Sequence, residues 1–313
     1  MPTAAEIEDS SFQCSPALHR QPGETCLSGS ALEKMRRVWN RLHPKQRILT
    51  GRGKTRKNGT GGSKNDAKLL WKDLRLAMKS KYKCETEYCV LEKMPGMTKA
   101  ERNTLRGYFR PDKPDNWDKK PTTWLDSFNI EDVMNQYEDA YPKFEFIGPV
   151  PIDFDSKDGM WGRCIVDELC KLDINDAKSK GTEMIGIIFN LDPHDQPGSH
   201  WVCAFVDIPK KAAYYFDSYG YAPPKEVETL LKRLYDQGIE HIYYNDVRHQ
   251  RKGSECGMYC LFTVICLLKG RSFHEICSKV VDDDLMNSFR DVLFATDKPR
   301  KQAIEEALPK LCH

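Results

Sequence analysis

Residues 248–260 read RHQRKGSECGMYC, with a glutamine six residues ahead of a cysteine that is followed by glycine and an apolar run. A cysteine nucleophile works as its thiolate. A helix N-terminus, a neighbouring imidazole and an acid holding that imidazole all favour this form. Cys256 meets the first condition by position, because GMYCLFTVICLLKG is expected to form a buried helix starting at Gly257 or Met258. Gly257 leaves room beside the sulfur for a substrate carbonyl. Among the eight histidines, His200 opens the strand-like run HWVCAFVDI directly after the turn-prone DQPGS. A strand end holds an imidazole more rigidly than a loop, and His194, inside that turn, is the competing candidate. Asp217 closes the neighbouring run AAYYFDSY. If 200–208 and 212–219 pair as a hairpin with 208 facing 212, residue 203 lies near 217. His200 then falls about three residues beyond Asp217, a gap that twist or a bulge must close. Gln250 offers a side-chain amide to an oxyanion, with the N–H of Cys256 as the second donor. Singly, each residue reads as structural or solvated; the order His, Asp, Gln-x5-Cys-Gly is much harder to reach by accident.

The elements that must position these residues are legible from residue 122 onward. Ile130, Val133, Met134 and Tyr137 form a helical stripe, and IGIIFN (185–190) reads as a buried strand. The runs 200–208 and 212–219 follow as a hairpin, and PKEVETLLKRLYDQG is an amphipathic helix that begins at proline and ends at Gly238. HIYYNDV (241–247) is another strand. The expected fold is α+β: a mixed or antiparallel central sheet, with a buried helix carrying the nucleophile at its N-terminus, plus a mostly helical N-terminal part.

That N-terminal part has a different texture. A helix is expected from Ser30 as cap, with Glu33 three residues later and Leu32, Met35, Val38, Trp39 and Leu42 at helical spacing. TGRGKTRKNGTGGSKND (50–66) is a flexible linker, and its GRGKT lacks the spacing of a phosphate loop. A second helix over 66–80 turns Leu69, Leu70, Leu74 and Leu76 to its apolar side, and MTKAERNTLRGYF is a third, capped by Thr98 with Glu101 closing the box. RPDKPDNWDKKP (110–121) breaks the pattern, and a boundary is expected there. The organisation expected is an N-terminal domain over 1–85 and a core domain over 86–313.

Between residues 45 and 83 stand 13 Lys or Arg against Asp66 and Asp73, although the whole chain carries only +2. Arg52, Lys54, Arg56 and Lys57 are the densest of them and suit a polyanion, DNA or an acidic capsid layer; a solvated arm is the bland alternative. Cys84 and Cys89 form one loose pair, to which Cys14, Cys26 or His19 would have to add ligands for zinc, so ordinary thiols are expected and no metal. No stretch has the ~20 apolar residues of a membrane span, and MPTAAEIEDSSFQC has neither the basic start nor the apolar core of a secretory signal. Twelve cysteines without a signal point to a reducing compartment and mostly free thiols.

GSHW, YFDSYG and HQRKGSECGMYC resemble the adenain-like cysteine proteases, which include the SUMO proteases and the adenovirus maturation protease. The resemblance implies a triad of His200, Asp217 and Cys256 with Gln250 in the oxyanion hole, and needs no cofactor. WLDSFNIEDVMNQY (124–137) is similar to the family's first core helix, which makes Trp124 and Trp201 the matching clamp for a Gly-Gly substrate tail; half-buried packing is the alternative for both. FNIEDVMNQYEDAYPKFEFIGPVPIDF and the cysteine-bearing N-terminal part resemble the core-protein-processing proteases of nucleo-cytoplasmic large DNA viruses, a group that includes the African swine fever virus enzyme and carries an N-terminal arm domain. The likeness is best over 117–300. It implies a viral endopeptidase that cuts structural polyproteins after Gly-Gly, in host cytoplasm and in the virion. A deSUMOylating enzyme is the nearest alternative, and a catalytically silent virion or nucleic-acid-binding protein is the alternative from another class. GTGGS (59–63) offers a site for self-cleavage after Gly62, although Gly-Gly in a linker is ordinary.

Overall fold

The computed structural model describes residues 14–18, 25–50, 64–84, 86–157 and 162–295. Arg52, Lys54, Arg56, Lys57, Gly62 and His19 lie outside them. The chain divides into two compact units, with the change at Asp112/Lys113 and residues 293–295 belonging to the first. The change falls inside the pattern-breaking stretch 110–121, not at 85/86.

The first unit is built on helices α1 (Gly29–Leu42), α2 (Lys64–Tyr82), α3 (Glu87–Lys93) and α4 (Lys99–Arg106). Its core joins Leu32, Met35 and Trp39 of α1 to Leu70, Trp71, Leu74 and Met78 of α2, and to Val90 and Leu91 of α3. Because α3 packs into that same core, the unit cannot stop at residue 85. Two readings shift in detail. Ser28, not Ser30, caps α1 by accepting from the Ala31 N–H, while Glu33 pairs with Arg36 and Arg37. In α2 only Leu70 and Leu74 of the four expected leucines are buried; Leu69 and Leu76 are exposed, and Trp71 and Met78 complete the inward stripe. At α4 the capping box of Thr98 and Glu101 forms in both directions.

The cysteines do not stay mostly free. Cys14–Cys26, Cys84–Cys89 and Cys164–Cys170 are disulfides, each closing a short loop whose ends the local turns bring together. Cys203, Cys256, Cys260, Cys266 and Cys277 are free. Among the described residues the one group with metal-ligand geometry is Cys14, Cys26 and Glu87, and its two sulfurs are bonded to each other.

The second unit contains the sheet. Helix α5 (Ser127–Ala140) leads into strand β1 (Phe144–Pro151); α6 (Asp167–Cys170) and α7 (Ile174–Ser179) lead to β2 (Met184–Asn190). Then follow β3 (Trp201–Asp207), β4 (Ala212–Phe216), α8 (Lys225–Asp236), β5 (His241–Tyr244) and α9 (Cys256–Leu268), with α10 (Phe273–Ser278), α11 (Asp283–Ser288) and α12 (Arg290–Leu293) closing the fold. The strand order is β1-β2-β3-β4-β5, parallel at both outer pairs and antiparallel at the two inner ones. Strand β1 escapes a pattern search because FEFIGPVP carries Gly148 and Pro149; a sheet edge tolerates proline, which has no N–H for the ladder.

Alternate residues of the sheet, among them Ile185, Ile187, Val202 and Ala204, pack with Val227, Leu230 and Leu234 of α8. Helix α9 lies against β3 and β2, and all 13 of its residues are buried, which is why its sequence is apolar on every side. No helix of the described residues is long and apolar enough to cross a membrane.

Candidate active site

Cys256 is the first residue of α9 and only 2% exposed. It sits where a helix leaves its leading N–H groups without intrahelical partners and its dipole favours negative charge. His200 immediately precedes β3. Its Nε2–H donates to Asp217 Oδ1 at 2.8 Å, leaving Nδ1 as the nitrogen for a second partner. The Cys256 thiol acts on the same imidazole and favours its cation. Burial disfavours the imidazolium and is the largest single influence on it, but the hydrogen bond to Asp217 and the influence of Cys256, with the charges of both, outweigh it and raise the His200 pKa to about 9.

Strand register explains how His200 and Asp217 meet. The hairpin pairs Asp207 with Ala212 and Cys203 with Phe216, one residue away from the expected 208–212 pairing. Continued by one step, it sets Asp217 opposite Val202, two residues from His200 and within the diagonal reach of cross-strand neighbours. Asp217 is nearly inaccessible. Its Oδ1 also accepts the Tyr219 N–H at 2.8 Å, and its carbonyl accepts from Asn245 Nδ2 at 2.8 Å. The Tyr219 ring stacks on the imidazole with centroids 4.8 Å apart. His194 stays apart from this cluster, its Nδ1 bonded to Asp153 Oδ2 at 2.6 Å.

Gln250 is fully buried, and its amide is held at both ends. Ser218 Oγ donates to Oε1 at 2.6 Å, and Nε2 donates to the Lys252 carbonyl at 2.7 Å, which leaves the second amide hydrogen free of these two partners. Backbone bonds from His249 N and Gln250 N to the Ser218 carbonyl tie this loop to the turn that begins at Asp217.

Trp201 is buried, its indole N–H donating to the Leu125 carbonyl at 3.0 Å, whereas Trp124 is 45% exposed. Both line a groove of about 400 Å³ with Pro149, Pro151, His194 and Pro197. A larger cavity of about 630 Å³, beside Tyr214, Tyr243 and Phe273, contains none of the predicted residues; the chemistry decides which of the two is relevant. A Cβ at Gly257 would sit 3.1 Å from the Leu125 side chain, so glycine there lets Leu125 approach α9 closely. Sequence reasoning missed Ser218, Tyr219 and Asn245, since a serine, a tyrosine and an asparagine after strands look like ordinary loop residues.

The C-terminal catalytic domain of the Ulp1 protease family matches residues 166–298, the stretch that holds His200, Asp217, Gln250 and Cys256. A protein of Acanthamoeba polyphaga mimivirus described as a thiol protease is 32% identical to this chain, over 92% of this chain and 96% of its own. The chain belongs to the Ulp1 family of cysteine proteases. African swine fever virus cysteine proteases are 27% identical over 73% of this chain and 90% of theirs, and one bears the name SUMO-1 cysteine protease. A crystal structure of the African swine fever virus protease shares the fold, with TM-score 0.59 at 22% identity over 93% of this chain and 98% of that one.

In this protease the raised His200 pKa carries a consequence for stability. A histidine whose pKa rises on folding from 6.5 to about 9 contributes stability that is whole below pH 6.5 and is lost as pH climbs through about 9. The contribution is on the order of 3 kcal/mol. Urea unfolding of wild type and His200→Gln at pH 6 and pH 10 should therefore show a wild-type advantage that shrinks at the higher pH. A constant difference would mean that the imidazole is not held as its cation.

Proposed function

We propose that the protein is an endopeptidase that cuts viral structural polyproteins after Gly-Gly, with Cys256 as nucleophile and His200 as its proton partner. The observation that carries this reading is the imidazole bonded to Asp217 at 2.8 Å, with Cys256, which favours its cation, as the first residue of helix α9. His200 holds the proton given up by the thiol as an imidazolium, and the thiolate attacks the scissile carbonyl carbon. The oxyanion is met by the free amide hydrogen of Gln250 and the N–H of Cys256. As the tetrahedral centre collapses, the C–N bond breaks and the imidazolium gives its proton to the leaving amine. Water then attacks the thioester with His200 as base, releasing the carboxylate and restoring the thiol. Asp217 holds the ring in the tautomer that keeps Nδ1 toward sulfur.

The Gly-Gly preference draws on the groove lined by Trp124 and Trp201, whose aromatic side chains would exclude bulky residues from a tail passing between them. A vinyl sulfone peptide ending in Gly-Gly should label wild type once, at Cys256, and label neither Cys256→Ala nor His200→Ala. Labelling that persists in His200→Ala, or spreads over several cysteines, overturns the proposal. The second reading, release of a ubiquitin-like protein, draws on the SUMO-1 protease name of one relative. Offering a SUMO precursor beside a Gly-Gly-containing structural polyprotein separates the two. The host cytoplasm and the virion are the sites of action that go with the polyprotein reading.

A further inference from the structure

Directly before the nucleophile, Glu255 occupies the N-cap position of α9 but does not cap it. Its carboxylate turns inward and is 2% exposed. Oε2 accepts from Arg290 Nε at 3.0 Å, and Oε1 accepts from Asn287 Nδ2 at 3.1 Å and from Ser254 Oγ at 3.0 Å. Arg290, equally buried, lies over the Trp117 ring at 4.5 Å. A buried ion pair is costly to desolvate and is frequently no more stabilising than apolar residues of the same size, so its presence calls for a reason other than stability.

The reason is where the two donors reach next. Arg290 Nη1 donates to the Thr123 carbonyl at 2.7 Å, and Asn287 Nδ2 also donates to the Pro121 carbonyl at 2.9 Å. These carbonyls belong to the segment that runs straight into Trp124 and Leu125. Leu125 in turn accepts from Trp201 and packs against Gly257. A closed circuit results: Cys256 and Glu255, then Arg290 and Asn287, then segment 121–125, then Trp201, then His200. Lysine in place of Arg290 would keep the charge, but one ammonium cannot span both Glu255 and Thr123 as the guanidinium fork does.

We propose that Glu255 and Arg290 are positioning residues that fix the tryptophan-bearing segment 121–125 at its working distance from Cys256. Resting on the protease reading above, this assigns to the pair the job of shaping the groove wall, leaving the reactivity of the thiol to His200 and Asp217. Two variants test it: Arg290→Lys, and the charge-neutral double replacement Glu255→Gln with Arg290→Met, which removes the tie without leaving a lone buried charge. Amide hydrogen exchange over 121–126 should speed up about tenfold or more in both while β3 keeps its protection. KM for a Gly-Gly peptide should rise about tenfold, and alkylation of Cys256 by iodoacetamide, which needs no groove, should stay within about twofold of wild type. Unchanged exchange over 121–126 in both variants overturns the proposal, as does an alkylation rate that falls as far as kcat/KM. Exchange reads the tie without any substrate, so its result stands even if the protease proves to prefer another sequence.

Discussion

Alanine in place of Cys256 will lower kcat/KM on a Gly-Gly peptide by a factor on the order of 10⁴–10⁶, and His200→Ala will fall nearly as far. The double variant will be no worse than either single one, because thiol and imidazole act as one unit. Once the thiolate cannot form, nothing is left for the second deletion to remove. In the proposed mechanism, what survives is the contribution of Gln250, of backbone N–H groups and of the groove. No other described free thiol can take over. Cys203, Cys260 and Cys266 are buried within β3 and α9, and burial pushes the Cys260 thiol well above its ordinary value. Burial, aided by the charge of Asp246, raises Cys277 to about 12. A fluorogenic peptide assay on the purified variants checks the expectation, and Cys256→Ala retaining a tenth of wild-type activity would sink the assignment of the nucleophile.

The sequence made the cysteine, the histidine and the aspartate legible for a physical reason: each sits at a strand or helix end that hydropathy marks sharply. Burial of the whole of α9 shows as thirteen residues with no polar face, and its start at Cys256 is set by the polar run before it. The geometry between these ends was less legible. Whether His200 reaches Asp217 depends on a hairpin register that shifts by one residue with the conformation of the link, where Lys211 takes a positive φ of 50°. Nor does pattern reveal β1, whose glycine and proline imitate a loop, or the α1 cap, where Ser28 and Ser30 both stand in reach of a helix start.

The supporting residues were the least legible of all. Ser218 and Asn245 act through hydrogen bonds across 32 and 28 positions of sequence, and Tyr219 through stacking on His200, and such pairs leave no periodic trace. Glu255 is instructive in a different way. Beside a nucleophile, a glutamate in a polar loop reads as solvated, yet it is among the most buried carboxylates of the unit because Arg290 and Asn287 come to it from α12 and α11. Disulfides were missed because a reducing compartment was inferred from composition, whereas loop closure over 5, 6 and 12 positions is a local property.

Gly220→Ala is expected to cost about 10²–10³-fold in activity although residue 220 touches no reacting atom. Gly220 ends the turn in which its N–H donates to the Asp217 carbonyl at 2.9 Å, with φ at +76°. A Cβ there would lie 2.8 Å from the Val247 carbonyl carbon and 3.0 Å from the Arg248 nitrogen, both backbone atoms that cannot rotate aside. The turn 217–220 and the segment 247–250 would have to part. One carries Asp217 and the other Gln250, so a single methyl group displaces the acid behind His200 and the amide proposed to meet the oxyanion together. Strain and crowding should also lower unfolding stability by about 2–6 kcal/mol. Gly238→Ala is the control: its φ is +96°, but a Cβ there meets nothing within 4 Å. It should lose about 1–3 kcal/mol from backbone strain alone and keep its kcat/KM. Urea unfolding and peptide hydrolysis measured on both variants separate the two effects. If Gly220→Ala loses stability but hydrolyses peptide as wild type does, the two segments do not hold Asp217 and Gln250 in place. If both glycine variants lose activity alike, the cause is the fold's general stability and not the wedge at residue 220.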